Sequence, residues 1–280
     1  MANSFDSSFV LQVLGDRAIM TLGNSLAPLE AFSTDFTKDT EKRGGIVNVQ
    51  KYSVGAMEED PSTYINTDIT STTIPVTLTV CSKTGGLSHK NLQDGKSLEQ
   101  FVDGLAYAVA NGVKSKVNAL ITTAYNNTAI SAAQASFGAT EAKKAYGSLK
   151  SGRKSLILDN TAFAQLLPSA LTSFPMVNGA IRNGLYGFEA IYPDSNLTSM
   201  GVSTTYGFAA TPEAIVVASR LPEMPEGHAW QTRILELPNG LKVQLGTWID
   251  NNTLARYVNL QVLFGAARGD TTALTRIEPS

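Results

Sequence analysis

The clearest hydrophobic pattern in the chain lies between Ser97 and Tyr125. Apolar residues recur there at steps of three and four positions, which is the spacing of one face of an α-helix: Leu98, Phe101, Val102, Leu105, Val109, Val113, Val117, Leu120 and Ile121. Ser97 followed by Gln100 is typical of a capping box at a helix start. Lys114 and Lys116 suit the negative end of the helix dipole. The pattern predicts a single helix over 97–125, about 40 Å long.

The first part of the chain carries a weaker helical pattern. Apolar residues from Ser7 to Phe32 recur at three- and four-residue steps, but Gly15, Gly23 and Pro28 interrupt them. Glycine and proline weaken or end a helix. The pattern predicts a broken amphipathic arm at the N-terminus, followed by a polar segment.

Strand and short helix patterns fill most of the remaining chain. Period-two alternation and β-branched residues predict strands over residues 46–52, 74–80, 154–159, 186–192, 207–210, 230–237, 241–249 and 255–264. Shorter helices are expected over 140–149, 160–167 with Asn160 as the cap, and 214–219 after Pro212.

Asn239-Gly240 between two strands predicts a hairpin. Pro75 cannot donate to a strand ladder, which predicts an edge or strand-start position. The fold class is α+β.

An extended loop is expected between the strands 46–52 and 74–80. About 20 polar residues separate the two strands, which is too long for a tight turn and too polar to bury itself. Adjacent carboxylates such as Glu58, Glu59 and Asp60 are usually solvated. We interpret them as an electrostatic contact with a neighbouring subunit rather than as a metal or acid-base cluster.

Composition favours a chain whose surface is covered by neighbours. The 280 residues are 43% hydrophobic and only 16% charged, well below the roughly 25% charged residues of a typical soluble domain. The net charge is −2, and the dispersed lysines and arginines form no stripe for sequence-specific nucleic-acid binding. No segment approaches the ~20 apolar residues that span a bilayer. The single cysteine excludes an intramolecular disulfide and suggests synthesis in a reducing cytoplasm.

Candidate catalytic chemistry is sparse. A nucleophilic cysteine or serine would need a histidine base, and only His89 and His228 are present. No Gly-x-Ser-x-Gly elbow occurs, and two histidines with one cysteine argue against a zinc site. Cys81 is therefore interpreted as a buried strand residue.

Nucleotide binding is also unsupported by the motifs. Gly179, Gly184 and Gly187 are the nearest candidates for a glycine-rich loop. Their spacing matches neither the dinucleotide fingerprint nor the phosphate loop, so a structural turn is the better interpretation. We expect no catalytic site, no cofactor site and no metal site.

The order of the elements resembles the Hong Kong 97 fold of tailed-bacteriophage major capsid proteins. That fold has an N-terminal arm, an extended β-hairpin loop, a long spine helix, an axial domain and a peripheral β-sheet. Residues 179–195 are similar to the family's axial-domain turn and strand, and residues 208–215 to its incoming-helix segment. Residues 257–266 are similar to its closing strand, where a glycine follows the apolar run. The resemblance covers nearly the whole chain.

The resemblance implies a division of the chain and a set of contact residues. The implied segments are the N-terminal arm (1–44), the two-stranded extended loop (45–90), the spine helix with the start of the peripheral domain (91–132), the axial domain (133–228) and the peripheral strands with the C-terminus (229–280). The extended loop would lie over an adjacent subunit. The candidate interface residues are Lys51, Met57, Glu58, Glu59 and Asp60.

The resemblance also implies a function and partners. The chain would be a major capsid protein that self-assembles into hexamers and pentamers of an icosahedral phage head enclosing double-stranded DNA. Its partners would be copies of itself, scaffolding and portal proteins, and packaged DNA contacted non-specifically, without a membrane. It would be made in the bacterial host cytoplasm and reside in the virion.

Three other classes remain open at this point. An encapsulin-type nanocompartment shell shares the fold and would hold a protein cargo instead of nucleic acid. A small α/β enzyme would act as a lasting monomer with one ligand pocket. A tail-tube or decoration protein would share the composition but has little need of a spine helix.

Overall fold

The computed structural model describes residues 7–41, 44–54, 69–87, 95–167, 176–177, 180–182, 184–197, 205–223, 231–249 and 256–280. The α-helices of these residues are α1 (Ser7–Ser25), α2 (Gly95–Asn118), α3 (Ala139–Ser148) and α4 (Asn160–Leu166). The strands are β1 (Ser33–Glu41), β2 (Ile46–Val54), β3 (Ile69–Thr77), β4 (Thr79–Leu87), β5 (Ile130–Ser131), β6 (Ser155–Leu158), β7 (Met176–Val177), β8 (Ala180–Ile181), β9 (Ala190–Pro193), β10 (Gly207–Ala210), β11 (Ile215–Pro222), β12 (Gln231–Glu236), β13 (Lys242–Ile249), β14 (Arg256–Arg268) and β15 (Leu274–Glu278).

The strands form two large sheets and one ribbon. The first sheet has the order β1-β11-β14-β13-β12, and β4 also pairs with β14. The second sheet has the order β5-β15-β10-β6-β9-β8-β7, and β2 and β3 form a two-stranded ribbon. We call the first sheet with α1 and α2 the first lobe, and the second sheet with α3 and α4 the second lobe.

Helix α2 packs its apolar stripe onto the first sheet, as the sequence predicts. The stripe residues Val102, Leu105, Val109, Val113 and Val117 are all buried. The contact is close, because a Cβ atom added to Gly85 of β4 would lie 2.6 Å from the ring of Phe101. The stripe therefore holds α2 flat against the sheet.

The predicted bounds of this helix are wrong at both ends. The helix starts at Gly95, so Ser97 lies inside it and is not its cap. It ends at Asn118, and beyond Ala119 the amides donate to carbonyls only three residues back, Leu120 to Val117 and Ile121 to Asn118. The 24 residues span about 36 Å. Ile121 and Tyr125 remain buried, which explains why the apolar pattern continues beyond the helix.

The N-terminal arm is broken near Pro28, as predicted, but its helix continues through both glycines up to Ser25. Gly15 and Gly23 lie inside α1, where each allows a neighbour to approach. A Cβ atom on Gly15 would lie 2.7 Å from the Arg233 guanidinium, and one on Gly23 would lie 3.2 Å from the Pro238 ring. Pro28 interrupts the pattern as expected, and it is the second residue of a 3₁₀ helix over Ala27–Ala31. Packing against β12 and its turn therefore outweighs the low helix propensity of glycine.

Two elements of the first sheet, the edge strand β1 and its neighbour β11, differ from the prediction. The polar segment after the arm forms β1, which pairs in parallel with β11. The helix predicted over 214–219 is wrong, because Pro212–Ala214 is a 3₁₀ turn and β11 follows it. β11 is buried almost throughout, and its β-branched run Ile215, Val216 and Val217 suits a strand covered on both faces.

Two predictions in the second lobe are corrected. The strand expected over 186–192 is only Ala190–Pro193, because Leu185–Gly187 forms a 3₁₀ turn. Asn160 is the first residue of α4 and not its cap. The cap is Asp159, whose carboxylate accepts hydrogen bonds from the amides of Thr161 at 3.3 Å and Ala162 at 2.9 Å.

The strand predicted over 74–80 is divided between two sheets. Residues up to Thr77 pair with β2, whereas β4 from Thr79 onward pairs with β14. Leu78 lies between them, fully buried, and its amide donates to the carbonyl of Gly45 at 2.9 Å. Pro75 lies opposite Asn48 in the middle of β3. Pro75 therefore lies in an edge strand, as predicted, because each ribbon strand pairs with only one other strand among the described residues. The alternative prediction, that Pro75 starts a strand, is wrong.

The other predicted elements are confirmed with small shifts of their bounds. The helix near 140–149 is α3, and the strands near 154–159, 207–210, 230–237, 241–249 and 255–264 are β6, β10, β12, β13 and β14. The Asn239-Gly240 hairpin joins β12 to β13. The Leu237 amide donates to the Leu241 carbonyl at 2.9 Å, which leaves a loop of three residues over 238–240. Only Gly240 there adopts a positive φ, +82°. The side chain of Asn239 closes the loop by accepting from the Leu241 amide at 3.1 Å.

The two lobes share a hydrophobic core. One face of the second sheet packs with the first lobe, and the ring of Phe208 stacks on Phe32 with centroids 6.2 Å apart. The other face of the second sheet is covered by α3 and α4. Among the helices described above, none is long and apolar enough to cross a membrane.

A substitution at Gly265 of β14 would test how closely the ribbon crosses the first sheet. A Cβ atom there would lie 2.4 Å from the carbonyl oxygen of Thr77 and 2.8 Å from the side chain of Val76. We expect Gly265→Ala to lower the free energy of unfolding by about 1–3 kcal/mol, because the backbone of β3 must shift. Gly104→Ala is the matched control: its Cβ would meet nothing within 4 Å, and it should stabilise α2 by about 1 kcal/mol. Urea unfolding measures both, and equal effects of the two variants would contradict the prediction.

Candidate subunit interface

The ribbon is anchored on the face of the first sheet that is opposite the helices. Its nine residue pairs run from Ile46–Thr77 at the root to Val54–Ile69. At the root, Val76 and Leu78 are buried against Val216, Ala218 and Leu263 of β11 and β14. These apolar contacts fix where the ribbon starts.

The outward face of the ribbon carries no charge. Alternation along β2 and β3 places on this face Ile46, Asn48, Gln50, Tyr52, Ser71, Thr73, Pro75 and Thr77, all exposed. The two large apolar side chains are strongly exposed, Ile46 at 60% and Tyr52 at 62%. A two-stranded ribbon is marginal by itself in water. An uncharged, partly apolar outer face is what a surface covered by a partner requires.

Lys51 marks the point where the ribbon meets the second lobe. Its ammonium lies 3.0 Å from a carboxylate oxygen of Asp270, in the turn between β14 and β15. The other oxygen of Asp270 accepts from the amide and the hydroxyl of Thr272, both at 2.8 Å. Lys150 lies 3.9 Å away. The predicted interface residue Lys51 is thus held by a carboxylate of its own chain.

The pKa of Asp270 reflects these contacts. Burial acts to raise the pKa of this carboxyl, but the hydrogen bonds from Thr272 and Lys51 outweigh burial and hold the pKa well below its ordinary value. The ion pair is therefore fully formed at neutral pH.

The other predicted interface residues are not placed. Met57, Glu58, Glu59 and Asp60 lie outside the described residues, so the structure does not bring them together with Lys51. Their contact with a neighbouring subunit stays a prediction.

The described residues that the sequence offered for catalysis or metal binding lie in structural positions. Cys81 lies in β4 and is buried, as predicted. Burial raises the pKa of its thiol, and the charge of Lys116 only partly opposes this effect, so the thiol is neutral at pH 7. His89 and His228 lie outside the described residues. Within the described part of the chain, no group of three or more His, Cys, Asp or Glu side chains could hold a metal ion.

The glycines considered for a nucleotide loop belong to a turn. Gly184 and Gly187 flank and end the 3₁₀ turn, with φ of +67° and +91°. Only glycine adopts such angles without strain. Gly179 lies outside the described residues.

A charged clasp joins the N-terminal helix to α2. The guanidinium of Arg17 donates two hydrogen bonds to Asp103, at 2.9 and 2.6 Å, and the hydroxyl of Thr21 donates a third at 2.5 Å. These bonds, Arg17 first, lower the pKa of the Asp103 carboxyl. Sequence reasoning missed this clasp, because nothing in the sequence links residues more than eighty positions apart.

A buried ion pair joins α2 to the second lobe and was also missed. The ammonium of Lys114 lies 3.0 Å from Asp194, the residue that follows β9. The side-chain amide of Asn118 donates to the same carboxylate at 3.0 Å. The sequence contains a signal for it, because Lys114 follows Val113 of the apolar stripe. A charge that is buried beside this stripe needs a partner.

Comparison with known proteins identifies the fold. No protein-family model matches the sequence, and no curated protein matches it. The structure is similar to a virus-like particle protein from Pyrococcus furiosus, with a TM-score of 0.55, 11% identity, and coverage of 95% of this chain and 98% of that chain. It is similar to the capsid of an empty GTA particle, with a TM-score of 0.54, 11% identity, and coverage of 91% and 90%. It is also similar to the capsid of Ralstonia phage GP4, with a TM-score of 0.52, 9% identity, and coverage of 88% and 86%.

These likenesses show the fold. The chain has the α+β Hong Kong 97-like capsid fold that the order of its elements implied. The match extends over about nine tenths of the chain and of each neighbour. The fold therefore includes both lobes and not only the first sheet with its helix.

The Asp270 contact predicts a pH dependence with a defined sign. A carboxyl whose pKa is lower in the folded protein than the unfolded value of about 3.9 stabilises the fold above that value. This stabilisation should be complete at pH 7 and lost as the pH falls below about 4. Urea unfolding of wild type and Asp270→Asn between pH 7 and pH 3 measures it, and the difference between them should shrink in acid. A difference that grows in acid would contradict the assignment.

Proposed function

We propose that this chain is a major capsid protein that self-assembles into hexamers and pentamers of an icosahedral phage head enclosing double-stranded DNA. The observation that carries the proposal is the fold itself, matched over nearly the full length by proteins of capsids and virus-like particles. The uncharged, exposed outer face of the ribbon supports it, because that face suits burial against a second copy. The role is structural and non-catalytic.

The proposed division of labour follows the elements. The arm and α2 are joined by the Arg17–Asp103 clasp and form the rigid part of the subunit with the first sheet. The extended loop, over 45–90, reaches an adjacent subunit through the segment Met57–Asp60. Lys51, the other proposed contact residue, also pairs with Asp270 of its own chain. The axial domain, over 133–228, corresponds to most of the second lobe.

The proposed partners follow from the low charge. With a net charge of −2, the wall contacts packaged DNA weakly and non-specifically, because a strongly basic wall would hold the polyanion with a salt-dependent grip. Scaffolding and portal proteins complete the assembly. Synthesis takes place in the cytoplasm of a bacterial host, and the product resides in the virion.

Particle formation tests the proposal directly. The purified chain, alone or expressed with its scaffold, should form closed particles visible by negative-stain microscopy and by sedimentation. Particles recovered from infected cells should contain DNA. A lasting monomer under all conditions would contradict the proposal, and particles filled with a protein cargo would contradict the phage-head assignment.

The acidic segment provides a prediction about the contact between subunits. We expect Glu58→Lys with Glu59→Lys to lower the assembled fraction about tenfold, equivalent to about 1.4 kcal/mol, because an attractive charge contact becomes repulsive. The isosteric control Glu58→Gln with Glu59→Gln should have a smaller effect. Sedimentation at low and high salt measures the assembled fraction, and the melting temperature of the monomer should stay unchanged. Assembly of the lysine variant at the wild-type level would refute the contact.

A further inference from the structure

We propose that Lys114 and Asp194 are positioning residues for assembly, whose buried ion pair holds the angle between the two lobes and thereby selects the diameter of the closed shell. The inference rests on the proposed function, because it concerns the shell that the subunits build. Lys114 belongs to the last turns of α2, in the first lobe. Asp194 directly follows β9, in the second lobe.

The pair is the most deeply buried ion pair between described residues. The side chains of Lys114 and Asp194 are 9% and 3% exposed, whereas every other such pair has at least one partner that is 20% exposed or more. Burial at a junction between lobes distinguishes this pair from the surface pairs, which contribute little to any structure.

The Asp194 carboxylate is held in one orientation. One oxygen accepts from Lys114 and from the amide of Asn196, each at 3.0 Å, and the other accepts from the side chain of Asn118 at 3.0 Å. The backbone amide of Asp194 donates to the carbonyl of Leu158 in β6 at 2.7 Å. The carboxylate is thus fixed to the second sheet and points at two side chains of α2.

Such a contact is directional, and it is more deeply buried than the other polar contacts across the junction, those of Asn196 with Asn111 of α2 and of Arg182 with Glu30. The shared apolar core attracts the lobes without preferring an angle, because the hydrophobic effect is non-directional. A charged hydrogen bond needs a defined distance and direction. Rotating the second lobe against α2 would break the pair and leave a buried charge unpaired, which is strongly unfavourable.

The lobe angle has a consequence for a closed assembly. In the proposed shell, neighbouring subunits would meet through surfaces on both lobes, so the angle between the lobes would set the rotation from one copy to the next. Closure depends on that rotation. A variable angle would therefore produce particles of variable diameter, while a fixed angle produces one.

The decisive variant removes both charges together. In Lys114→Met with Asp194→Asn, no buried charge is left unpaired, and the new amide can still accept from Asn118. Replacing both partners by uncharged residues of similar size avoids the cost of an unpaired buried charge, so the monomer should melt near the wild-type temperature. We expect electron microscopy to show a broadened or shifted diameter distribution, or open sheets. A folded variant that forms particles of the single wild-type diameter would overturn the inference.

The matched control removes an exposed ion pair inside one lobe. Arg153 and Glu189 are 68% and 48% exposed and both belong to the second lobe. Arg153→Gln with Glu189→Gln should leave the diameter unchanged. An equal broadening in this control would also overturn the inference, because the diameter would then respond to charge loss in general.

A milder variant covers the case in which the double variant does not fold. Asn118→Ala removes one hydrogen bond to Asp194 and leaves the ion pair, so it should broaden the distribution to a smaller extent, and an unchanged distribution would count against the inference. Failure of the wild type to form any particle would instead contradict the proposed function.

Discussion

The structure depends on the burial of one apolar stripe of α2 against the first sheet. Val102, Val109, Val113 and Val117 lose nearly all their exposure there, and each buried side chain of this size contributes about 1.5–3 kcal/mol. The same helix carries Asp103, which binds the N-terminal helix, and Lys114, which binds the second lobe. The arm and both sheets are thus positioned relative to a single rod.

Much of this arrangement could be predicted from the sequence, and the reasons differ between elements. The stripe of α2 and the strands β12 to β14 have strong periodicity, and their local pattern agrees with their burial. β11 was misassigned because a run buried on both faces shows no period, and a first-turn proline pointed to a helix. β1 was missed because a polar strand at a sheet edge needs few apolar residues.

The contacts that join the elements were predicted less well than the elements themselves, for physical reasons. Ion pairs such as Lys51–Asp270 and Lys114–Asp194 join residues far apart in the chain. A single sequence can indicate that a charge such as Lys114 needs a partner, but not which distant residue supplies it. The continuity of α1 through Gly15 and Gly23 likewise follows from β12 and the turn beyond it packing close to the helix, which only the folded chain reveals. Local propensity largely determines which helices and strands form, whereas long-range contacts determine how these elements are joined.

Strand β14 makes its hydrogen bonds with three partners at once, β11, β13 and β4. In the proposed shell, tension along this strand would load those bonds in shear, so that a whole row must break together before the strand slips. Tension across the strands would instead open the bonds one after another. The subunit should therefore resist stretching most strongly along the direction of β14, and a shell built from it would be stiffer in some directions than in others.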